Sequence, residues 1–97
     1  MSRYVLSDAA NANLEDIAVG PTNAVAILET LWHTVQRLAD HPNIGTLRAD
    51  LLPGIRTFSP SRSAYDYVVF LYPITGGVEV AAVIHGSRDW VTMFRHR

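Results

Sequence analysis

The chain opens on an alternating segment, Arg3-Tyr-Val-Leu-Ser7, whose successive side chains point to opposite faces in the manner of a short strand. Ser7 followed by Asp8 reads as a helix start, the hydroxyl capping a free N–H and the acid sitting at the positive end of the helix dipole. Ala10, Leu14 and Ile17 then recur at i, i+4 and i+7, a narrow apolar stripe on a helix that runs to about Val19, and Gly20-Pro21 stops it. A second helix is predicted from Thr22 or Asn23 to about Asp40. Ala24, Leu28, Leu31, Val35 and Leu38 share one face, Glu29, Thr30, His33, Gln36 and Arg37 lie elsewhere, and His41-Pro42 closes the helix.

Beyond His41 the pattern changes to that of strands. Ile55–Ser59, Tyr67–Tyr72 and Val78–Ile84 are rich in β-branched and aromatic residues, and Thr75-Gly76-Gly77 is the hairpin turn between the last two. The expected fold is α+β in the order β-α-α-β-β-β: a small twisted, mainly antiparallel sheet packed against an N-terminal helical hairpin, with a short helical turn or tail after Asp89. Val68–Leu71 and Val80–Ile84 are apolar almost throughout, as central strands covered on both faces would be. The helical hairpin covers one face, so the other needs a second cover.

At 97 residues the length fits one domain, 1–97, and 48% hydrophobic with 18% charged residues is ordinary globular composition. The absence of cysteine excludes a disulfide framework, a thiol nucleophile and thiolate metal sites. No run approaches the ~20 apolar residues that span a bilayer, and the first residues are too few and too polar for a signal peptide, so a cytoplasmic location is expected. All eight basic residues are arginine, and they are unevenly placed: residues 1–47 carry two against five acids, residues 48–97 six against four. The net charge of −1 thus hides a mildly basic second half, whose planar guanidinium forks suit carboxylate or phosphate.

Candidate chemistry concentrates in a polar knot at the end of the last strand, His85, Arg88 and Asp89 with Trp90 beside it, and in Arg48-Ala-Asp-Leu-Leu-Pro-Gly-Ile-Arg56, where two arginines flank a Pro-Gly turn. His85, Ser87 and Asp89 are the residue types of a serine hydrolase, but three neighbours on one turn do not converge as a triad must. The four histidines, at 33, 41, 85 and 96, lack metal-ligand spacing, and Gly76-Gly77 sits in a β-turn and not before a helix, so neither metal nor cofactor is expected. His33 is placed on the exposed face of its helix and His41 at the helix end. His85 has two readings, a satisfied core group or a side chain facing a groove. Structural readings stand beside the functional ones elsewhere: Asp89 as a cap or ion-pair partner of Arg88, Trp90 as a lid, and Arg48 and Arg56 paired with Asp50 and Asp66 to fix the turn.

Four pieces of the chain, in order, resemble the RelE/ParE superfamily of bacterial toxins, and its ParE branch in particular. Tyr4-Val-Leu-Ser7 with Ala9-Ala10 and Leu14-Glu-Asp-Ile17 resembles the family's first strand and helix, and Leu38-Ala-Asp-His-Pro42 with Gly45 its helix end. Arg48-x-Asp50-Leu51-x-Pro53-Gly54-x-Arg56-x-Phe58 is similar to its central motif, and Val83-Ile-His85-Gly-x-Arg88-Asp89 to its ending.

The resemblance implies the toxin of a type II toxin-antitoxin module, associated with plasmid stabilization and growth arrest, that binds DNA gyrase and forms a hetero-oligomer with a ParD-like antitoxin. Direct nucleic-acid binding without a partner is not expected. Arg48, Arg56, His85, Arg88, Trp90 and the tail residues Phe94, Arg95, His96 and Arg97 are the candidates for contact with target or antitoxin, arginine and tryptophan being frequent interface anchors. The alternative is a RelE-like ribosome-dependent mRNA endoribonuclease, which needs cations and proton carriers around the scissile phosphate. Of the nuclease positions Arg88 matches and Arg56 substitutes for one basic residue, while Phe58, Tyr67 and Phe94 stand where the others are expected. A third reading is a non-toxic remnant that still binds antitoxin, in keeping with a shortened segment near Ala18–Thr22 and a near-neutral charge in a family whose toxins tend to be basic.

Overall fold

The computed structural model describes residues 2–89. The chain runs β1 (Arg3–Leu6), α1 (Asp8–Val19), α2 (Ala24–Asp40), β2 (Thr46–Leu47), β3 (Arg56–Phe58), a 3-10 turn at Arg62–Ala64, β4 (Tyr67–Ile74) and β5 (Gly77–His85). The turn or tail expected after Asp89, like Trp90, Phe94, Arg95, His96 and Arg97, falls outside the described residues.

The strands form one sheet in the order β1-β5-β4-β3-β2. β1 lies parallel to β5 and the remaining pairings are antiparallel. The α+β fold is therefore as expected, with one addition. β2 has no signature in the residue pattern, because two residues cannot display an alternation; they are strand only because Thr46 pairs with Thr57 and Leu47 with Arg56. At the β4–β5 hairpin Gly76 takes a φ of +81°, a conformation that favours glycine. Gly77 is needed for a different reason: a β-carbon there would overlap the carbonyl of Arg3, so only glycine lets β1 approach β5.

Both helices cover one face of the sheet. Ala10 and Ile17 of α1 and Ile27, Leu31, Val35, Leu38 and Ala39 of α2 pack against Val69, Leu71, Val78, Val80 and Val83. The second face holds Ile55, Phe70, Ala81, Ala82 and Ile84, with Leu51, Leu52, Val68 and Tyr72 packed on it. The second cover thus includes the β2–β3 loop, folded back where the Arg48 N–H donates to the Ile55 carbonyl at 2.8 Å and Gly54 turns with a φ of +80°.

What positions the site is the treatment of β5. Phe70 faces Ala82 and Leu71 faces Val80, which leaves Ala81 as a bulge without a partner on β4. The bulge turns both alanines to the second face and hands the helix face on to Val83. On the opposite edge β1 pairs only as far as Val80. From there α1 completes the ladder with side chains. The Ser7 N–H donates to the Val80 carbonyl at 3.0 Å. Its hydroxyl donates to the Ala81 carbonyl at 2.7 Å while accepting the Ala10 N–H at 3.0 Å as helix cap. Asn13 Oδ1 accepts the Val83 N–H at 3.0 Å.

Asn13→Ala leaves the N–H of buried Val83 without its acceptor and should cost about 1–3 kcal/mol, whereas Asn13→Asp keeps an acceptor and should cost less. Urea unfolding of the two variants checks this, and equal midpoints would show that the bond does not support β5.

Candidate functional site

The end of β5 and the second half of α1 enclose a cleft of about 160 Å³ between Asn13, Asp16 and Ile17 on one side and Tyr67, His85 and Arg88 on the other. His85 is half-buried and belongs to this cleft and not to the core. Its ring stands edge-on to Tyr67, with centroids 5.2 Å apart and planes at 77°. The Ser87 N–H donates to His85 Nδ1 at 3.1 Å and the Ser87 hydroxyl lies 2.7 Å from the same atom. With Nδ1 accepting, the neutral ring carries its proton on Nε2. Ser87 is thereby engaged within its own turn, and among the described residues no carboxylate bonds the other ring nitrogen to orient the pair as a triad would. The turn is fixed from outside by the Gly86 N–H donating to the Asp66 carbonyl at 2.6 Å and from within by Arg88 N–H to His85 O at 3.0 Å. Arg88 is exposed, and among the described residues no hydrogen bond or ion pair engages its guanidinium.

The other two predicted arginines lie elsewhere. Arg56 sits opposite Leu71 on β4 and His85 opposite Tyr67, a separation of four residues, or about 13 Å along the strands. The pairing of Arg56 with Asp66 does not occur: its Nη1 donates to the carbonyls of Asn43 at 3.2 Å and Gly45 at 2.8 Å, clamping the loop after α2 to the sheet. The expectation failed because a guanidinium at a strand edge meets backbone acceptors before any distant carboxylate. Arg48 does pair with Asp50, in a fork of 2.9 and 2.8 Å. That hydrogen bond holds the Asp50 carboxyl below its ordinary value. A carboxyl with a depressed folded-state value contributes above its unfolded value and loses that contribution as pH falls through the folded one, so the fork should open at a lower pH than that at which an unpaired aspartate takes up its proton. No group of three or more His, Asp or Glu among the described residues is placed to hold a metal ion.

A second feature carries residues absent from the predicted set. Leu14 of α1 and Val25, Leu28 and Trp32 of α2 line an apolar groove of about 340 Å³ across the outside of the helical pair. Trp32 is 46% exposed and Val25 71%, while Tyr4 holds the indole edge-to-face at 5.3 Å. The signal was present in the pattern: Val25, Leu28 and Trp32 stand at i, i+3 and i+7, a second apolar stripe beside the one that faces the core.

The structure is thus a small α+β domain with an open polar cleft at the end of its central strands and an exposed apolar groove on its helices. Residues 4–90 match the family model described as ParE toxin of type II toxin-antitoxin system, parDE, and the chain belongs to that family. It is 35% identical over 96 residues to Toxin ParE1 of Mycobacterium tuberculosis, in both the CDC 1551 / Oshkosh and H37Rv strains, covering 91% of this chain and 93% of that protein. The fold is similar to a solved structure titled chromosomal ParDE TA system from P. aeruginosa, with a TM-score of 0.66 and 19% identity over 88% of this chain and 96% of that one.

Two arginines of the predicted set should now separate by stability. Arg56→Ala removes charged hydrogen bonds to two carbonyls and should lower unfolding free energy by about 1–3 kcal/mol, while Arg88→Ala should stay within about 0.5 kcal/mol of the parent. Denaturant titration of both variants, read before any activity assay, checks the assignment.

Proposed function

We propose that the protein is a toxin that arrests growth by binding DNA gyrase in the cytoplasm and is neutralised by a ParD-like antitoxin. The observation that carries the antitoxin half is the groove of Leu14, Val25, Leu28 and Trp32. A rigid, half-exposed tryptophan among aliphatic side chains is the kind of surface into which the apolar face of an amphipathic partner segment packs. Family membership supports the toxin reading, and the cleft of His85, Arg88 and Tyr67 is the surface assigned to the target.

Binding is favoured over RNA cleavage by what stands at the nuclease positions. Phe58 packs against the core on the helix side and lies under the Arg37 guanidinium at 5.4 Å, so it offers neither charge nor proton. The cleavage reading keeps one observation in its favour: a proton-bearing imidazole, a phenol and a guanidinium share one cleft.

Inducible expression without antitoxin, with pulse labelling in the first minutes, decides between them. DNA synthesis should fall first; an earlier fall in protein synthesis supports RNA cleavage, and unimpaired growth supports the non-toxic remnant. With purified gyrase, Arg88→Ala should raise the toxin concentration needed for half-inhibition of supercoiling by about tenfold or more, on the order of the loss of one interfacial arginine. Trp32→Ala should leave that inhibition intact but make the antitoxin a weaker rescuer.

A further inference from the structure

α2 has three sides. At 3.6 residues per turn successive residues step by about 100°, which divides its side chains into stripes about 120° apart. Ala24, Ile27, Leu31, Val35 and Leu38 face the core. Val25, Leu28 and Trp32 face the apolar groove. The third stripe, Thr30, His33, Thr34 and Arg37, forms one wall of a separate cleft of about 420 Å³, whose other wall is Ser61 and Arg62. Glu29 lines both the groove and the cleft and is the ridge between them.

Two features mark this cleft as built for an anion. Arg62 has a φ of +55° and is the one non-glycine residue among those described with a positive φ. A side chain with a β-carbon is disfavoured there, and such strain gathers where a side chain must be presented in a set direction. Across from it Arg37 is oriented over the Phe58 ring at 5.4 Å. Among the described residues no hydrogen bond or ion pair engages either guanidinium. The Arg37 fork, held over Phe58, with Arg62 and Ser61 on the facing wall suits a pair of carboxylates or a phosphate.

We propose that this cleft receives acidic side chains of the same antitoxin segment whose apolar side chains fill the groove, so that one partner chain straddles α2 across Glu29. The inference rests on the antitoxin reading above and adds a second, charged contact to it. Protein carboxylates are favoured over nucleic acid by the surrounding field. A duplex carries a charge about every 1.7 Å, and its continuous row of phosphates would meet Glu29, which lines the same cleft. A short acidic segment meets only the cleft, and Glu29 bars its carboxylates from the apolar side.

The test is isothermal titration of a purified ParD-like antitoxin that rescues growth from this toxin against this chain and two variants. Arg37→Glu/Arg62→Glu should weaken binding about tenfold or more at low salt and flatten its salt dependence. Arg62→Gly should also weaken binding while melting at or above the parent temperature, because glycine relieves the backbone; that combination separates a lost contact from a damaged fold. Parent-like affinity in both variants overturns the proposal while leaving the antitoxin reading in place. So does a labelled duplex of about 20 base pairs that binds the parent and not the variants, which assigns the cleft to nucleic acid. Failure of the antitoxin to bind the parent overturns the antitoxin reading and this inference together.

Discussion

The fold depends on β5 being hydrogen-bonded along both edges when one edge has too little strand to pair with. β5 is nine residues long and β1 four. A buried N–H or C=O left open along the difference would cost as much as a lost hydrogen bond. Ser7 and Asn13 remove that cost, and in doing so they determine where α1 starts and which side it turns to the sheet. Asparagine is a mediocre helix former, and its place inside α1 follows from this tertiary bond and not from propensity. With Asn13 held against Val83, Asp16 and Ile17, three and four residues on, come to rest beside the end of β5. The cleft around His85 follows directly from how the edge of β5 is closed.

The same economy applies to α2, which turns one side to the core and leaves two lining open clefts. An exposed groove lined by a tryptophan and a valine is a liability in a free domain of this size, where little surface is removed from water to begin with. Any partner that covers it stabilises the folded chain by mass action. On the proposed reading, in which the antitoxin is that partner, the free toxin is the less stable species.

The two helices were legible because each carries a sustained period, and the two long strands, β4 and β5, because each is a sustained run of β-branched and aromatic residues. The stripe of Leu31, Val35 and Leu38 is buried as its spacing implies, and Ser7 caps α1 through its own hydroxyl. What could not be read has physical causes. β2 is too short to have a period, and the Ala81 bulge leaves the composition of β5 unchanged while altering which face each residue takes. Ile27 faces the core although the counted stripe ran through Leu28, which lies half-buried between core and groove, because at 100° per residue adjacent stripes blur. Arg62 was invisible as a candidate, since nothing in Ser-Arg-Ser announces a left-handed backbone.

Arginine being this chain's entire basic complement makes residue type a poor guide to role. Arg48 is neutralised by Asp50 two residues away, and Arg56 is spent on the carbonyls of Asn43 and Gly45. A guanidinium with several fixed donors performs such structural work well, because it can bond backbone and carboxylate without needing a particular partner. Arg62 and Arg88 are the same chemical group, yet neither is engaged in a hydrogen bond or ion pair by another described residue. In a chain with nine acids and eight arginines, a cation that bonds to none of the described carboxylates forgoes a local bond that the composition made available. That lack of engagement, and not net charge, distinguishes a surface arranged for an anionic partner from one that is merely solvated: in the cleft on the third side of α2, Arg37 and Arg62 outnumber Glu29 although the chain carries a net charge of −1.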